Sequence, residues 1–286
     1  MKIAAIDISS VFSQHWLVNE GSGKDFSAAM LGTVQAVQGF REGHDRVAIC
    51  CDSGKSWRTA IWPSYKADRP NRGEVYREQI RQTVERLAAQ GCVVFRAPPV
   101  SMIEADAGAD LYAEADDVIG TLCAWAIEGG HEVTIFSADK DLMQLVGPGV
   151  QQFSPMARTM YDAEKVAENL GLPPKFIPDF LALAGDKSDN YKPFDGVGDK
   201  RAVDLIKICG SAMAVFEPEH WDRLGEYLKS EKLADAIKLR GREPAEKCLR
   251  IATVLRDLDL NFDPLLDDAP PFVEDPPPEQ VSQTEV

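Results

Sequence analysis

Four short apolar runs, separated by longer stretches with helical spacing, most constrain the fold of this chain. They are rich in Val, Ile and Phe and cover residues 2–8, 46–52, 92–97 and 132–139. Strands that alternate with helices are typical of a parallel sheet with helices on both faces. We therefore predict an α/β fold, in which ligands bind beyond the carboxyl ends of the strands.

Acidic residues lie at the ends of these predicted strands. Three of the four runs finish at or next to an aspartate, namely Asp7, Asp52 and Asp139. The carboxyl ends of parallel strands meet at one edge of a sheet, where ligands of such folds bind. The sequence therefore predicts that these three carboxylates lie near one another.

A second acidic group heads the apolar run 114–128, which has the pattern of a buried helix. Glu114, Asp116 and Asp117 stand at its start. The positive end of a helix dipole favours acids there by ~0.3 to 1 kcal/mol each, which explains one or two of them. Two carboxylates about 4 Å apart repel by roughly 4 kcal/mol at an effective dielectric of ~20, so the cluster predicts a bound cation.

Two further acidic sites follow along the chain. Asp141 joins Asp139 in "SADKD", and Asp186 and Asp189 stand in "GDKSDN". Each acid taken singly also fits a turn or a helix cap. Convergence at one edge favours hard divalent cations, Mg²⁺ or Mn²⁺, and two such ions can stabilise both oxygens of a phosphoryl displacement.

Basic residues cluster in residues 54–87, interleaved with Trp57, Trp62, Tyr65 and Tyr76. Cations combined with aromatic platforms are typical of grooves for single-stranded nucleic acid. The candidates for phosphate contact are Arg58, Lys66, Arg69, Arg72, Arg77 and Arg81. For the helical part an alternative stays open, in which Arg81 pairs with Glu78 or Glu85 on a solvated face.

A glycine turn, Gly196-Val197-Gly198, leads into a predicted helix with Lys200 and Arg201 in its first turn. Glycines allow backbone N–H groups to approach a phosphate, and a helix N-terminus favours negative charge. An ordinary helix start explains the same letters. The turn directly follows "GDKSDN", which favours the phosphate-binding interpretation.

Composition is that of a soluble globular protein, with 44% hydrophobic and 27% charged residues. No apolar run approaches the ~20 residues of a membrane span, so we expect no membrane partner and a cytoplasmic location. The six cysteines form no CxxC pair, which suits reduced core thiols. The net charge of -15 does not exclude a nucleic acid, because residues 263–286 alone hold seven acids and no Lys or Arg.

The pattern of segments predicts an α/β domain (1–172), a helical subdomain (173–262) and an acidic, proline-rich tail (263–286). The sheet of the first domain would end with a hairpin or edge strand in residues 151–162. After this hairpin, a helix is predicted at 162–170, still within the first domain. In the second, helices are predicted at 174–184, 199–208 and roughly 221–257, followed by a strand run at 258–263. The composition of the tail favours disorder.

Five stretches resemble the 5′-nuclease (flap endonuclease) superfamily, including the 5′-to-3′ exonuclease domain of bacterial DNA polymerase I and free-standing bacterial and phage enzymes. They are "AIDISS", "CDSGKSWR…YKADR", "AEADDVIG", "SADKDLMQLV" and "LAGDKSDN…GVGDKRA". They occur in family order from Asp7 to about residue 210. The resemblance implies a parallel-sheet (PIN-like) nuclease core and a helical subdomain with a helix–hairpin–helix motif.

The resemblance also implies roles for the acids and for one lysine. Lys66 would be the basic residue at the base of the arch through which a 5′ end passes, with Arg69 beside it. The outer metal site would contain Asp141, Asp186 and Asp189. The tighter, catalytic metal site would contain Asp7, Asp52, Glu114, Asp116, Asp117 and Asp139.

The hairpin of the family grips duplex DNA, here through Gly196, Gly198, Lys200 and Arg201, and often holds K⁺ through backbone carbonyls. Pro193 stands where the family's first hairpin glycine is expected, so K⁺ at this hairpin is left open.

The implied function is a monomeric, metal-dependent 5′-to-3′ exonuclease or flap endonuclease in DNA replication or repair, of bacterial or phage origin. Its DNA partners would be flaps, nicked or 5′-ended duplexes, and single-stranded 5′ ends. The alternative is a DNA-junction-binding accessory protein with little or no hydrolysis. The presence of all nine expected carboxylates favours the enzyme.

Overall fold

One sheet organises the structure, a computed structural model that describes residues 1–20, 27–100 and 110–267. Its strands are β1 (Lys2–Asp7), β2 (Arg46–Cys51), β3 (Val93–Arg96), β4 (Glu132–Phe136), β5 (Val150–Ser154) and β6 (Thr159–Tyr161). Their order is β3-β2-β1-β4-β5-β6, and only β6 is antiparallel to its neighbour. The predicted strands, the edge hairpin and the α/β class are confirmed.

Helices cover the sheet and form the second half of the chain. They are α1 (Ile8–Glu20), α2 (Ser27–Arg41), α3 (Arg58–Ile61), α4 (Gly73–Ala89), α5 (Ala115–Glu128), α6 (Ala163–Leu170), α7 (Ile177–Ala184), α8 (Asp199–Cys209), α9 (Pro218–Trp221), α10 (Leu224–Leu228), α11 (Glu231–Arg240) and α12 (Glu243–Ala252). Short 3₁₀ helices occupy Asp141–Leu145, Pro174–Phe176, Met213–Phe216 and Asp263–Leu265.

The predicted helix at 221–257 is wrong in its continuity, because it is divided into shorter helices. The Ser230 hydroxyl caps α11 by accepting the backbone N–H of Leu233, so a new helix begins there. Gly241 ends α11 with a φ of 73°, a conformation that costs glycine little.

The alternation of side chains along β1 places helices on both faces of the sheet. Ile3 and Ala5 pack in a core that includes α5 residues such as Val118. Ala4 and Ile6 face the other side, where the core includes residues of α1, α2 and α4. All four β1 residues are fully buried, which explains the unbroken apolar run.

A second core lies in the helical half, from Leu172 to Ile251. Phe194 and Val197, beside the predicted hairpin, are buried in it. Tyr65 belongs to this core although it precedes the helical half by about a hundred residues in sequence. We call residues 64–72 the basic segment. Because Tyr65 is buried in this core, the beginning of the basic segment is fixed to the helical half.

The strand predicted at 258–263 is wrong, because residues 253–262 have no regular secondary structure. This segment returns to the α/β half, where Phe262 and Leu265 are buried in its core. Arg46 donates hydrogen bonds to the carbonyls of Leu265 and Asp267 at 3.0 and 2.6 Å. The predicted boundary between residues 262 and 263 thus falls inside a segment whose two sides, at Phe262 and Leu265, are buried in the same core.

Gly120 permits this return. A Cβ added at Gly120 would lie 2.4 Å from the carbonyl oxygen of Leu255, so the two backbones approach too closely for any side chain.

No helix in the described ranges is long and apolar enough to cross a membrane. The acidic residues at 101–109 and the predicted tail from residue 268 onward lie outside the described residues.

Candidate active site

A cleft of about 640 Å³ opens at the carboxyl ends of β1, β2 and β4. Four of its lining residues are acids: Asp7, Asp52, Asp116 and Asp139. Four others are cations: Lys66, Arg69, Arg72 and Arg77. The fold therefore gathers four carboxylates and four cations in one space.

Asp7 and Asp52 are each oriented by helix starts and serines. Asp7 accepts the backbone N–H of Ser10 at 3.0 Å and the hydroxyl of Ser137 at 2.7 Å. Asp52 accepts the backbone N–H of Ala115, the first residue of α5, at 2.9 Å. Because β1 and β2 are adjacent and parallel, both carboxylates lie at the same end of the sheet.

Burial and mutual repulsion raise the pKa values of Asp7, Asp116 and Asp139 in the cleft. Burial, together with the charges of Asp52 and Asp139, raises the pKa of Asp7 to about 6. The pKa of Asp116 is raised well above its usual range by burial and by the charges of Asp139 and Asp7. The ionised carboxylates are thus close enough to destabilise one another, which a divalent cation would relieve.

A second acidic group lies beside the first. Burial and the charges of Asp139, Asp186 and Asp189 raise the pKa of Asp141 well above its usual range. Asp186 is held in its loop by the N–H and hydroxyl of Ser188, both at 2.6 Å. Asp189 is buried and accepts a hydrogen bond from Arg69 at 2.5 Å. None of these three acids lines the cleft itself.

Within the described residues, no group of three or more His, Cys, Asp or Glu side chains is already arranged to hold a metal. The described lining of the cleft nonetheless contains four carboxylates and neither His nor Cys. The pKa values of three of these carboxylates, Asp7, Asp116 and Asp139, are raised. This donor set suits a hard divalent ion that keeps several waters and needs only a few protein oxygens. It does not suit zinc, which prefers nitrogen and sulfur ligands in a closed tetrahedron.

Lys66 joins the basic segment to both halves of the molecule. Its ammonium lies 2.9 Å from Oε1 of Glu114, and its backbone N–H donates to the carbonyl of Asp189 at 2.9 Å. Burial would lower the pKa of Lys66, but the charges of Glu114 and Asp189 outweigh burial and raise it. Lys66 therefore stays positively charged in the cleft. Its backbone is in the left-handed region, with a φ of 56°.

The prediction that Asp117 binds metal is wrong in this structure. Asp117 is fully buried, and Arg58 donates to both of its oxygens at 2.8 Å. Its Oδ2 also accepts from the Trp57 indole at 3.1 Å and from the N–H of Glu114 at 2.9 Å. Its Oδ1 accepts the N–H of Leu255 at 3.0 Å. Five protein donors leave these oxygens no room for an ion.

The prediction that Arg58 contacts DNA is wrong for the same reason. Arg58 is 2% exposed, and its guanidinium is enclosed by Asp117, Glu114 and the carbonyl of Ile251. Trp57 and Tyr65, which we expected as stacking platforms, are also buried. Sequence spacing cannot separate a buried ion pair from an exposed cation, because both need an arginine.

The remaining basic candidates divide into two groups. Lys66, Arg69, Arg72 and Arg77 line the cleft. Arg81 does not, since it forms exposed ion pairs with Glu78 and Glu85 on α4, as the solvated-face alternative predicts. Arg72 donates to the hydroxyls of Ser13 and Tyr76, which positions it at the cleft wall.

The predicted hairpin lines a separate cavity of about 660 Å³ that includes Lys200 and Arg201. Gly196 has a φ of 84°, whereas Gly198 is extended, with φ at -104°, and its Cβ position is open. The carbonyl of Gly196 accepts a hydrogen bond from Arg201 at 2.7 Å. A cationic group of the chain thus already occupies one backbone carbonyl of this hairpin.

Sequence reasoning missed the serines of the cleft, whereas Tyr76 was among the expected aromatic platforms. Ser9, Ser10, Ser13 and Tyr76 line the cleft. Ser9 and Ser10 stand two and three positions after Asp7, and this closeness to a predicted site acid is the signal in the sequence that could have indicated them. Ser13 and Tyr76 share a hydrogen bond of 2.8 Å across α1 and α4, a contact that no local pattern indicates.

Family models cover nearly the whole described chain. Residues 2–171 match the 5′-3′ exonuclease N-terminal resolvase-like domain. Residues 172–270 match the 5′-3′ exonuclease C-terminal SAM fold.

Individual proteins agree with these family models. The chain is 31% identical over 208 residues to a 5′-3′ exonuclease of Aquifex aeolicus, a match that covers 73% of this chain and 64% of the relative. It is 32% identical over 216 residues to the flap endonuclease Xni of Edwardsiella ictaluri, a match that covers 73% of this chain and 75% of the relative.

A solved structure shares the fold. It is the bacteriophage T5 D15 flap endonuclease in a pseudo-enzyme-product complex with DNA and metal ions, with a TM-score of 0.60 and 20% identity. The match covers 88% of this chain and 98% of that one. The predicted resemblance and fold are confirmed: this chain belongs to the 5′-3′ exonuclease family, whose named relatives include flap endonucleases.

Proposed function

We propose that this protein is a divalent-metal-dependent, structure-dependent 5′-to-3′ exonuclease and flap endonuclease that hydrolyses DNA phosphodiesters. One observation carries the proposal: the same cleft contains four carboxylates and four cations. Hydrolysis of a phosphodiester needs positive charge on the scissile phosphate and an activated water, and this lining supplies groups for both.

Mg²⁺ or Mn²⁺ would be held by Asp7, Asp52, Asp116 and Asp139 in the cleft, with Glu114 at its edge. A second ion would be held by Asp141, Asp186 and Asp189. Bound there, such ions supply charge stabilisation and lower the pKa of a water nucleophile. Asp117 has no place in this set, for the reasons given above.

The chain's own cations would bind and orient the DNA. Lys66 lies beside Glu114 and lines the cleft, so its ammonium can contact the phosphate nearest the carboxylates. Arg69, Arg72 and Arg77 would hold the phosphates of the single-stranded 5′ end. The exposed N-terminus of α8, with Gly198 and Lys200, would bind the duplex backbone through N–H groups and charge.

Relatives support the proposal without deciding it. The solved T5 enzyme was crystallised with DNA and metal ions, which agrees with these two ligands. The chain spans 64% of the length of the Aquifex aeolicus relative and 75% of the flap endonuclease Xni.

The test is cleavage of one labelled strand presented as a 5′ flap, a nicked duplex, a blunt duplex and a single strand. Mg²⁺, Mn²⁺ and chelator are compared for each. We expect metal-dependent release of 5′-phosphorylated products from the flap. Tight flap binding without cleavage in either metal would replace the proposal with the junction-binding accessory protein.

A further inference from the structure

The buried Arg58–Asp117 pair connects three elements that are distant in sequence. The guanidinium and the carboxylate form two hydrogen bonds of 2.8 Å, with side-chain exposures of 3% and 0%. Arg58 begins α3, and Asp117 lies in the first turn of α5. Both groups also bond to the chain at and after the end of α12.

The α12 contacts are made by both members of the pair. Arg58 Nε donates to the carbonyl of Ile251 at 2.7 Å, near the C-terminal end of α12. Asp117 Oδ1 accepts the N–H of Leu255 at 3.0 Å. The pair therefore satisfies a helix-end carbonyl and the start of the returning segment, and it ties the helical half to α5.

Glu114 is the third group held by the pair. Arg58 Nη1 donates to Glu114 Oε2 at 3.1 Å, and Asp117 Oδ2 accepts the backbone N–H of Glu114 at 2.9 Å. The hydroxyl of Tyr65 donates to the same Oε2 at 3.0 Å. Oε1 is left facing Lys66 at the cleft. The orientation of Glu114 thus depends on the pair from both its backbone and its side chain.

We propose that Arg58 and Asp117 are positioning residues that act as one unit. They fix Glu114 at the head of α5 and set the helical half, which carries Asp186 and Asp189, in register with the cleft acids. This inference deepens the proposed function and rests on it for its kinetic readout. The pair touches neither substrate nor metal.

The energetics of a buried pair supply a distinctive signature. Removing one partner leaves an uncompensated buried charge, whereas altering both removes the interaction only once. Arginine replaced by lysine keeps the charge but loses the fork that reaches Asp117, Glu114 and Ile251 together. Asparagine in place of Asp117 keeps the shape, but its amide nitrogen cannot accept, so one of the two hydrogen bonds from Arg58 is lost and the other no longer goes to a charged acceptor.

The experiment compares Arg58→Lys, Asp117→Asn and the double variant with wild type, in the full chain. The matched control is Arg223→Lys, which alters an exposed pair with Glu226, and neither residue lines the cleft. Three quantities are measured: Mn²⁺ affinity of the DNA-free protein by calorimetry, kcat and KM on a flap substrate, and the midpoint of urea unfolding.

We expect Arg58→Lys and Asp117→Asn to lower Mn²⁺ affinity or kcat by similar factors, about 10- to 100-fold, as changes beside metal ligands do. The double variant should be no worse than either single variant, and KM for DNA should stay within about threefold in all of them, since no phosphate contact is removed. Arg223→Lys should match wild type.

Two results would overturn the inference. If Asp117→Asn abolishes Mn²⁺ binding while Arg58→Lys binds normally, Asp117 is a ligand and the original assignment returns. If kcat and Mn²⁺ affinity are normal in both variants under conditions where urea titration shows them folded, the pair is only structural. A wild-type protein that binds Mn²⁺ but cleaves no substrate would refute the proposed function instead, and the calorimetric comparison would still decide the pair.

Discussion

The ammonium of Lys66 lies 2.9 Å from Oε1 of Glu114, and the Lys66 side chain also lines the cleft beside Asp7 and Asp116. The basic segment therefore places the positive charge of Lys66 next to the carboxylates at the edge of the sheet. The pKa of Lys66 is raised by Glu114 and Asp189 in spite of burial, so it remains charged throughout the working pH range.

Lys66→Met should slow flap cleavage and reduce its dependence on salt. Each lost phosphate contact lowers the slope of log affinity against log salt by ~0.7 to 0.9. The measurement is DNA affinity at several salt concentrations, with the exposed Lys55 changed to Met as control. A slope equal to wild type would mean that Lys66 contacts only Glu114 and Asp189.

Asp116→Asn should reduce hydrolysis by several orders of magnitude, because it removes charge from the centre of the proposed metal site. DNA binding should be retained or improved, since a negative charge is lost. The control is Glu128→Gln, an exposed acid at the other end of the same helix. Turnover near the wild-type rate in Asp116→Asn would remove this residue from the metal site.

Stability without metal should fall as pH rises from about 4 to about 6. The pKa of Asp7 is about 6 in the folded protein against 3.8 ordinarily, so the unfolded chain ionises first and is favoured over this interval. A shift of this size corresponds to roughly 3 kcal/mol. Urea unfolding in chelator at several pH values measures it.

Mg²⁺ should reduce this fall, because it binds the ionised carboxylates of the folded state. Asp7→Asn should also reduce it, even without metal. If wild type and Asp7→Asn show the same pH profile in chelator, the Asp7 carboxyl does not titrate as its buried position requires.

Gly198→Val should impair cleavage of duplex-containing substrates more than cleavage of short single strands. The backbone at Gly198 is extended and its Cβ position is open, so valine is tolerated by the fold but would shield the α8 N-terminus from a phosphate. The ratio of kcat/KM for a flap and a single-stranded oligonucleotide measures the effect.

Gly196→Ala is the informative comparison for that variant. Its φ of 84° strains any side chain by ~1 kcal/mol or more, so this change should lower the unfolding midpoint whereas Gly198→Val should not. Equal losses on flap and single strand in Gly198→Val would show that the turn does not grip duplex DNA.

Arg77→Ala should weaken DNA binding and flatten its salt dependence, whereas Arg81→Ala should do neither. Both stand on α4, but Arg77 lines the cleft and Arg81 pairs with Glu78 and Glu85 in solvent. The two variants control for each other in the same salt titration. A larger effect from Arg81 would place the DNA on the outer face of α4.

The sequence alone determined the strands of the sheet, the helices α5 to α8 and the places of the cleft acids. Continuous Val and Ile runs report burial on both faces, and the end of a parallel strand fixes where its following aspartate lies. Asp7, Asp52 and Asp139 were predicted on this basis, and Asp7, Asp52, Asp116 and Asp139 meet in one cleft. The resemblance to the family further predicted a nuclease core followed by a helical subdomain.

Only the tertiary structure decided which polar groups pair with one another. Arg58 and Asp117 read as a DNA contact and a metal ligand, yet the return of the chain after α12 encloses both. The alternating run at 258–263 reads as a strand, but its apolar residues pack on the core without joining the sheet. Local periodicity indicates whether a side chain is buried, whereas its partner is set by contacts between residues 59 or more positions apart in these examples.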